Sequence, residues 1–135
     1  MLDQRSEQPK PLVLLVEDEL GLSKLMGMIL EDEGYRVTEA ANGALGLLRL
    51  KEEKPALIIT DYMMPELNGY EMVCTIRRNP HYDDVPILMM SAALPQQVPG
   101  REVVDQFLPK GSGLDLLVST VRRLIDGDKS QAPNP

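Results

Sequence analysis

The chain has 135 residues, enough for one domain with one core, and its 43% hydrophobic and 26% charged residues are an ordinary soluble balance. A net charge of −7, with no basic cluster set against it, argues against direct contact with nucleic acid. The one cysteine, Cys74, excludes an internal disulfide and suits a reducing cytoplasm, and every apolar run is too short to span a bilayer. The polar start, "MLDQRSEQPK", lacks the apolar stretch of a signal peptide, so a cytoplasmic chain with no membrane contact is expected.

Residues 1–10 read as a disordered lead, 11–126 as the folded domain and 127–135 as a disordered tail. "PLVLLVEDE" is apolar at every position from Leu12 to Val16, which predicts a strand buried on both faces. Leu22, Leu25, Met26 and Ile29 then recur at helical spacing up to Gly34. Leu20, Gly21 and Met28 fall off that stripe and form either a docking patch for a protein partner or ordinary exposed apolar surface. "YRVTEA" predicts a short, more polar strand. "NGALGLLRLKEEK" predicts a helix with Asn42 as N-cap, ended by Pro55.

"ALIIT" is a second fully apolar strand, followed by a helix over 68–78 with Met72, Val73 and Ile76 inward. "NPHYDDVP" is a loop, "PILMMSA" a third buried strand and "QFLP" a short further one. A closing helix over 112–126 puts Leu114, Leu117, Val118, Val121, Leu124 and Ile125 on its apolar face. Strands alternating with helices predict a parallel sheet with helices on both faces.

Each apolar strand ends in a polar residue. The first ends in Glu17 and Asp18, the next in Asp61, the third in Ser91 and the last in Lys110. Taken singly, these are a solvated strand end, a turn cap, a turn hydroxyl and a surface lysine. Taken together they fall where an open parallel sheet binds its ligands, outside the carboxyl ends of the strands. Three carboxylates in one place repel one another, and a hard divalent cation relieves that repulsion. Oxygen donors without His or Cys point to Mg²⁺ or Mn²⁺. Lys110 and Ser91 supply an ammonium and a hydroxyl for phosphoryl oxygens, and an aspartate is a known phosphate acceptor.

The stretches "VLLVEDE", "LIITDYMMPELNGYE", "PILMMSA" and "FLPKG" closely resemble the receiver domain of two-component response regulators. The run D-x-x-M-P-x-x-x-G is the specific part: Asp61, Met64, Pro65 and Gly69. The resemblance implies a five-stranded parallel sheet of order 2-1-3-4-5 with five helices. It also implies a phosphoprotein that carries an aspartyl phosphate. Asp61 is then the phosphoacceptor, with Ser91 and Lys110 assisting. Glu17, Asp18, Asp61 and the Met63 carbonyl would hold the metal. Ser91 and Phe107 would form the switch.

The implied donor is a phosphohistidine on a sensor histidine kinase or a histidine phosphotransfer protein. The chain would catalyse only its own phosphorylation and dephosphorylation and act on a downstream protein target. In such domains the residues two beyond the acceptor and two beyond the switch hydroxyl help place the hydrolytic water. Met63 and Ala93 stand there, so slow self-dephosphorylation is expected.

Two features depart from the family pattern. Gly111 follows Lys110 where a proline in a cis peptide is usual. A non-proline cis bond costs ~2.5–4 kcal/mol, so a trans or a strained bond is expected. The segment "AALPQQVPGREVVDQ" is short and carries Pro95, Pro99 and Gly100, so the fourth helix is expected to be shortened, displaced or missing. These departures keep one alternative open, a pseudo-receiver that binds proteins without using phosphate.

Overall fold

In the computed structural model, residues 9–64, 68–92 and 101–127 are described. Their elements run in the order β1 (Leu12–Val16), α1 (Leu20–Asp32), β2 (Arg36–Ala40), α2 (Gly43–Glu52), β3 (Leu57–Asp61), α3 (Gly69–Arg77), β4 (Ile87–Ser91), β5 (Gln106–Pro109) and α4 (Leu114–Asp126). The five strands are all parallel, in the order β2-β1-β3-β4-β5. This is the doubly wound, flavodoxin-like arrangement expected from the alternation of elements. Among the described residues no helix is long and apolar enough to cross a membrane.

The continuous apolar runs became strands for a simple reason. β1, β3 and β4 are buried at every position, because helices cover both faces of the sheet there. Successive side chains then serve two cores. Leu14, Val16, Ile58, Ile87 and Met89 pack with Leu50 of α2 and with Met72, Val73 and Ile76 of α3. Val13, Leu15, Leu57, Ile59, Leu88, Met90 and Leu108 pack with Met26 and Leu30 of α1 and with Leu117 and Val121 of α4. The two-residue period of a strand sorts each residue into its layer.

Two apolar faces differ from the sequence reading. The buried stripe of α1 is Ser23, Met26, Gly27 and Leu30, whereas Leu25 is exposed and Leu22 and Ile29 are only half-buried. Small and polar residues face β2 because Glu39 reaches across to them. Ser23 Oγ donates to Glu39 Oε1 at 2.9 Å, and a Cβ on Gly27 would stand 3.1 Å from Glu39 Oε2. In α4, Leu114, the first residue of the helix, is exposed, and Val118, Leu124 and Ile125 are half-buried. Leu20 and Met28 are exposed.

Between β4 and β5 the described residues hold a 3-10 turn, Arg101–Val103, and no α-helix. Residues 93–100, with Ala93, Pro95, Pro99 and Gly100, lie outside the described residues, as do Pro65, the first eight residues of the lead and residues 128–135 of the tail.

Candidate functional site

Parallel pairing brings the carboxyl ends of β1, β3, β4 and β5 to one edge. Val16 lies opposite Thr60, Asp61 opposite Met90, and Ser91 opposite Pro109. Glu17, Asp61 and Lys110 each follow by two positions a residue of the α1/α4 core: Leu15, Ile59 and Leu108. Their side chains meet there. Lys110 Nζ donates to Asp61 Oδ2 at 2.8 Å and lies 3.6 Å from Glu17 Oε2. Ligand oxygens of Glu17, Asp18 and Asp61 all lie within 4.8 Å of one another.

The three acids are not equivalent. Glu17 and Asp61 are each only 4% exposed, while Asp18 is open to solvent. Glu17 also accepts from the backbone N–H of Glu19 at 3.1 Å, at the start of α1. Burial pushes the Glu17 carboxyl above the ordinary carboxylate value. The Glu19 N–H and Lys110 pull against that rise, and Asp61 and Asp18 add to it. Burial alone would lower the Lys110 ammonium. Its hydrogen bond to Asp61 and the charges of Asp61, Glu17 and Asp18 together raise it instead.

Asp61 is held at the backbone as well. Its carbonyl accepts from the Thr60 hydroxyl at 3.0 Å, and Tyr62 N–H donates to the Met90 carbonyl at 2.9 Å. With Lys110 on Oδ2, the other oxygen, Oδ1, is buried and has no hydrogen-bond partner among the described residues. A buried acceptor left without a partner costs ~1–3 kcal/mol, and it is found where a site awaits a ligand or a reaction. The all-oxygen donor set and this orphaned atom together fit a hard divalent cation.

α3 starts against the same residue. Asn68 and Glu71 form a reciprocal cap, Glu71 N–H to Asn68 Oδ1 at 2.8 Å and Asn68 N–H to Glu71 Oε1 at 3.0 Å. Gly69 N–H donates to the Tyr62 carbonyl at 2.9 Å. A Cβ on Gly69 would stand 2.2 Å from the Asp61 carbonyl oxygen. In the sequence, Gly69 stands only as the last position of the D-x-x-M-P-x-x-x-G run. The signal was a glycine at the first helical position behind an N-capping asparagine, where backbone closeness rather than capping demands it.

Ser91 is fully buried at the end of β4, and its carbonyl accepts from Lys110 N–H at 2.9 Å. Phe107 is half-buried against the α2/α3 core and pairs with Met89. Met63 carries an exposed side chain, 65% accessible. The Lys110–Gly111 peptide is trans, and Gly111 takes φ +86°, a conformation open to glycine. Gly113 does the same at φ +101° as α4 begins, and Leu22, Met26, Met90, Leu108 and Leu117 line a cavity of about 250 Å³ beside this turn.

The sequence profile of the response regulator receiver domain matches residues 13–122. The chain belongs to this family. CheY4, a chemotaxis protein of Vibrio cholerae, has the same fold at a TM-score of 0.79 and 30% identity, covering 85% of this receiver and 98% of that chain. The response regulator TrrA of Thermotoga maritima, solved with Mg²⁺ and BeF, gives 0.77 at 27% identity, covering 84% and 98%. The probable transcriptional regulator ycf27 of Pyropia yezoensis is 34% identical over 128 residues, covering 89% of this receiver and 51% of that protein. The DNA-binding regulator RpaA of Synechocystis is 29% identical, covering 85% and 49%. The receiver thus spans about half the length of the curated relatives it matches.

Proposed function

We propose that Asp61 accepts a phosphoryl group from a phosphohistidine of a sensor kinase or phosphotransfer protein, and that the phosphorylated receiver signals through protein contacts. The observation that carries this reading is the divided state of Asp61: Lys110 holds Oδ2, and buried Oδ1 has no partner among the described residues. An in-line attack by Oδ1 forms the new O–P bond. The N–P bond of the donor breaks, and its electron pair returns to the imidazole nitrogen, which takes up a proton.

Glu17, Asp18 and Asp61, with the Met63 carbonyl, are the residues proposed to hold Mg²⁺ or Mn²⁺. Such an ion, when bound, offsets the carboxylate repulsion and the charge of the phosphoryl oxygens. Lys110, already 2.8 Å from Asp61, neutralises one phosphoryl oxygen, and the Ser91 hydroxyl donates to another. Met63 cannot orient a water for hydrolysis, so the aspartyl phosphate is slow to break down. The Leu20 side chain, 67% exposed at the start of α1, offers apolar surface for a protein donor.

The reading is tested with acetyl phosphate and Mg²⁺. A receiver gains one phosphoryl group and keeps it. A metal-dependent phosphatase turns the donor over repeatedly, and a phosphate-independent binding module does neither.

A further inference from the structure

A second polar cluster lies at the far end of the β4–β5 pair. Arg77, in the last turn of α3, donates Nε to the Val103 carbonyl at 3.2 Å and Nη1 to the Tyr82 carbonyl at 3.0 Å. Its Nη2 donates to Asp105 Oδ2 at 3.0 Å. That same oxygen accepts from the Ile87 N–H at 2.8 Å, and Asp105 N–H donates to the Ile87 carbonyl at 2.9 Å. A guanidinium presents its donors in a rigid planar fork, so one side chain fixes the loop before β4 and the residues leading into β5. The 3-10 turn at Arg101–Val103 is too short to anchor itself.

α3 therefore carries a constraint at each end. Gly69 packs on the Asp61 carbonyl, and Arg77 grips Val103 and Asp105. Phe107 lies two residues beyond Asp105 and packs on the core that holds Met72, Val73 and Ile76 of α3. It pairs with Met89, and Ser91 stands two residues beyond Met89, at the next same-face position of β4.

We propose that Arg77 is a positioning residue that clasps the start of β5 to α3 and so sets where Phe107 stands relative to Ser91. The clasp exists without phosphate; its effect on the switch rests on the phosphoacceptor reading above. With the fork in place, Phe107 keeps one position until the Asp61 site is filled. Without it, the strand start loosens and the ring averages over positions before any signal arrives.

The chain has a single phenylalanine, so fluorophenylalanine labelling gives one ¹⁹F resonance that reports Phe107 alone. Arg77→Met keeps the aliphatic packing and removes the fork. Asp105→Asn keeps an oxygen for Ile87 N–H and removes the ion pair, and it serves if the first variant folds poorly. In the metal-free protein, each variant is expected to shift or broaden the ¹⁹F line and to speed amide exchange over 101–107 about tenfold, with β1 and β3 unchanged. Adding Mg²⁺ and beryllofluoride is expected to move the ¹⁹F line of the variants by less than half the wild-type displacement. A generally weakened fold leaves that displacement intact. Wild-type ¹⁹F lines and exchange rates in both variants overturn the clasp. If the mimic fails to move even the wild-type line, Phe107 is not coupled to the Asp61 site and the clasp's effect on the switch is overturned. Phosphoryl gain from acetyl phosphate still decides the phosphoacceptor reading, and the mimic-free comparison still decides the clasp.

Discussion

Two charged clusters occupy opposite ends of the β4–β5 pair, and they are built on opposite principles. At the amino end, Arg77 spends its donors on two carbonyls and on Asp105, which also accepts from Ile87. At the carboxyl end, Glu17 and Asp61 are buried beside one ammonium, Asp18 adds a third carboxylate, and Oδ1 of Asp61 has no partner among the described residues. A satisfied network holds a fold together. An over-charged one with an orphaned oxygen lowers stability and keeps chemistry ready. The same sheet carries both, so the contrast predicts opposite responses to substitution.

The largest effect belongs to the residue that joins α3 to Asp61. Gly69→Ala forces a Cβ toward the Asp61 carbonyl, 2.2 Å away in the present geometry, and is expected to cost about 3 kcal/mol in urea unfolding. Next comes the satisfied network, where Arg77→Met is expected to cost about 2 kcal/mol, since it leaves partly buried acceptors without donors. At the carboxyl end the sign reverses. Glu17→Gln removes a buried charge from a repulsive cluster and is expected to raise stability at neutral pH by about 1 kcal/mol. Destabilisation by Glu17→Gln comparable to that of Arg77→Met would erase the distinction between the clusters.

The pH dependence sharpens it further. The folded Glu17 carboxyl titrates above its ordinary value, chiefly through burial. Between the two values the folded state binds more protons than the unfolded state, so stability falls as pH rises through that window. Metal-free protein is expected to show this decline in unfolding experiments, and Glu17→Gln to lack it. The smallest effect concerns Asp18, the exposed member of the acidic set. Asp18→Ala is expected to leave stability within about 0.5 kcal/mol while weakening Mg²⁺ binding in a titration. An unchanged titration removes Asp18 from the ion's ligands.

Much of the carboxyl-end cluster was legible in the sequence, because each member follows an apolar strand and parallel pairing does the rest. The Arg77 cluster was not. Its partners Tyr82, Val103 and Asp105 lie five to 28 positions away, and two of them contribute only backbone oxygens, which no side-chain pattern marks. The phase of α1 was misread for a related reason. Periodicity favours large apolar residues, whereas Ser23 and Gly27 turn inward to meet Glu39 on β2. Exposed Leu114 shows the same limit, since whether the first residue of a helix is covered depends on its tertiary neighbours. Gly69 could be quoted from its motif, but its closeness to Asp61 becomes visible only when β3 and α3 are set side by side.

The central claim is that Asp61, with one oxygen pinned and the other free, is the acceptor. Intact-mass spectrometry after incubation with acetyl phosphate and Mg²⁺ tests it most directly, on the wild type and on Asp61→Asn. The account predicts one added phosphoryl group on the wild type, localised by peptide mapping to Asp61, and none on a variant that remains folded. An equal gain on Asp61→Asn would contradict it.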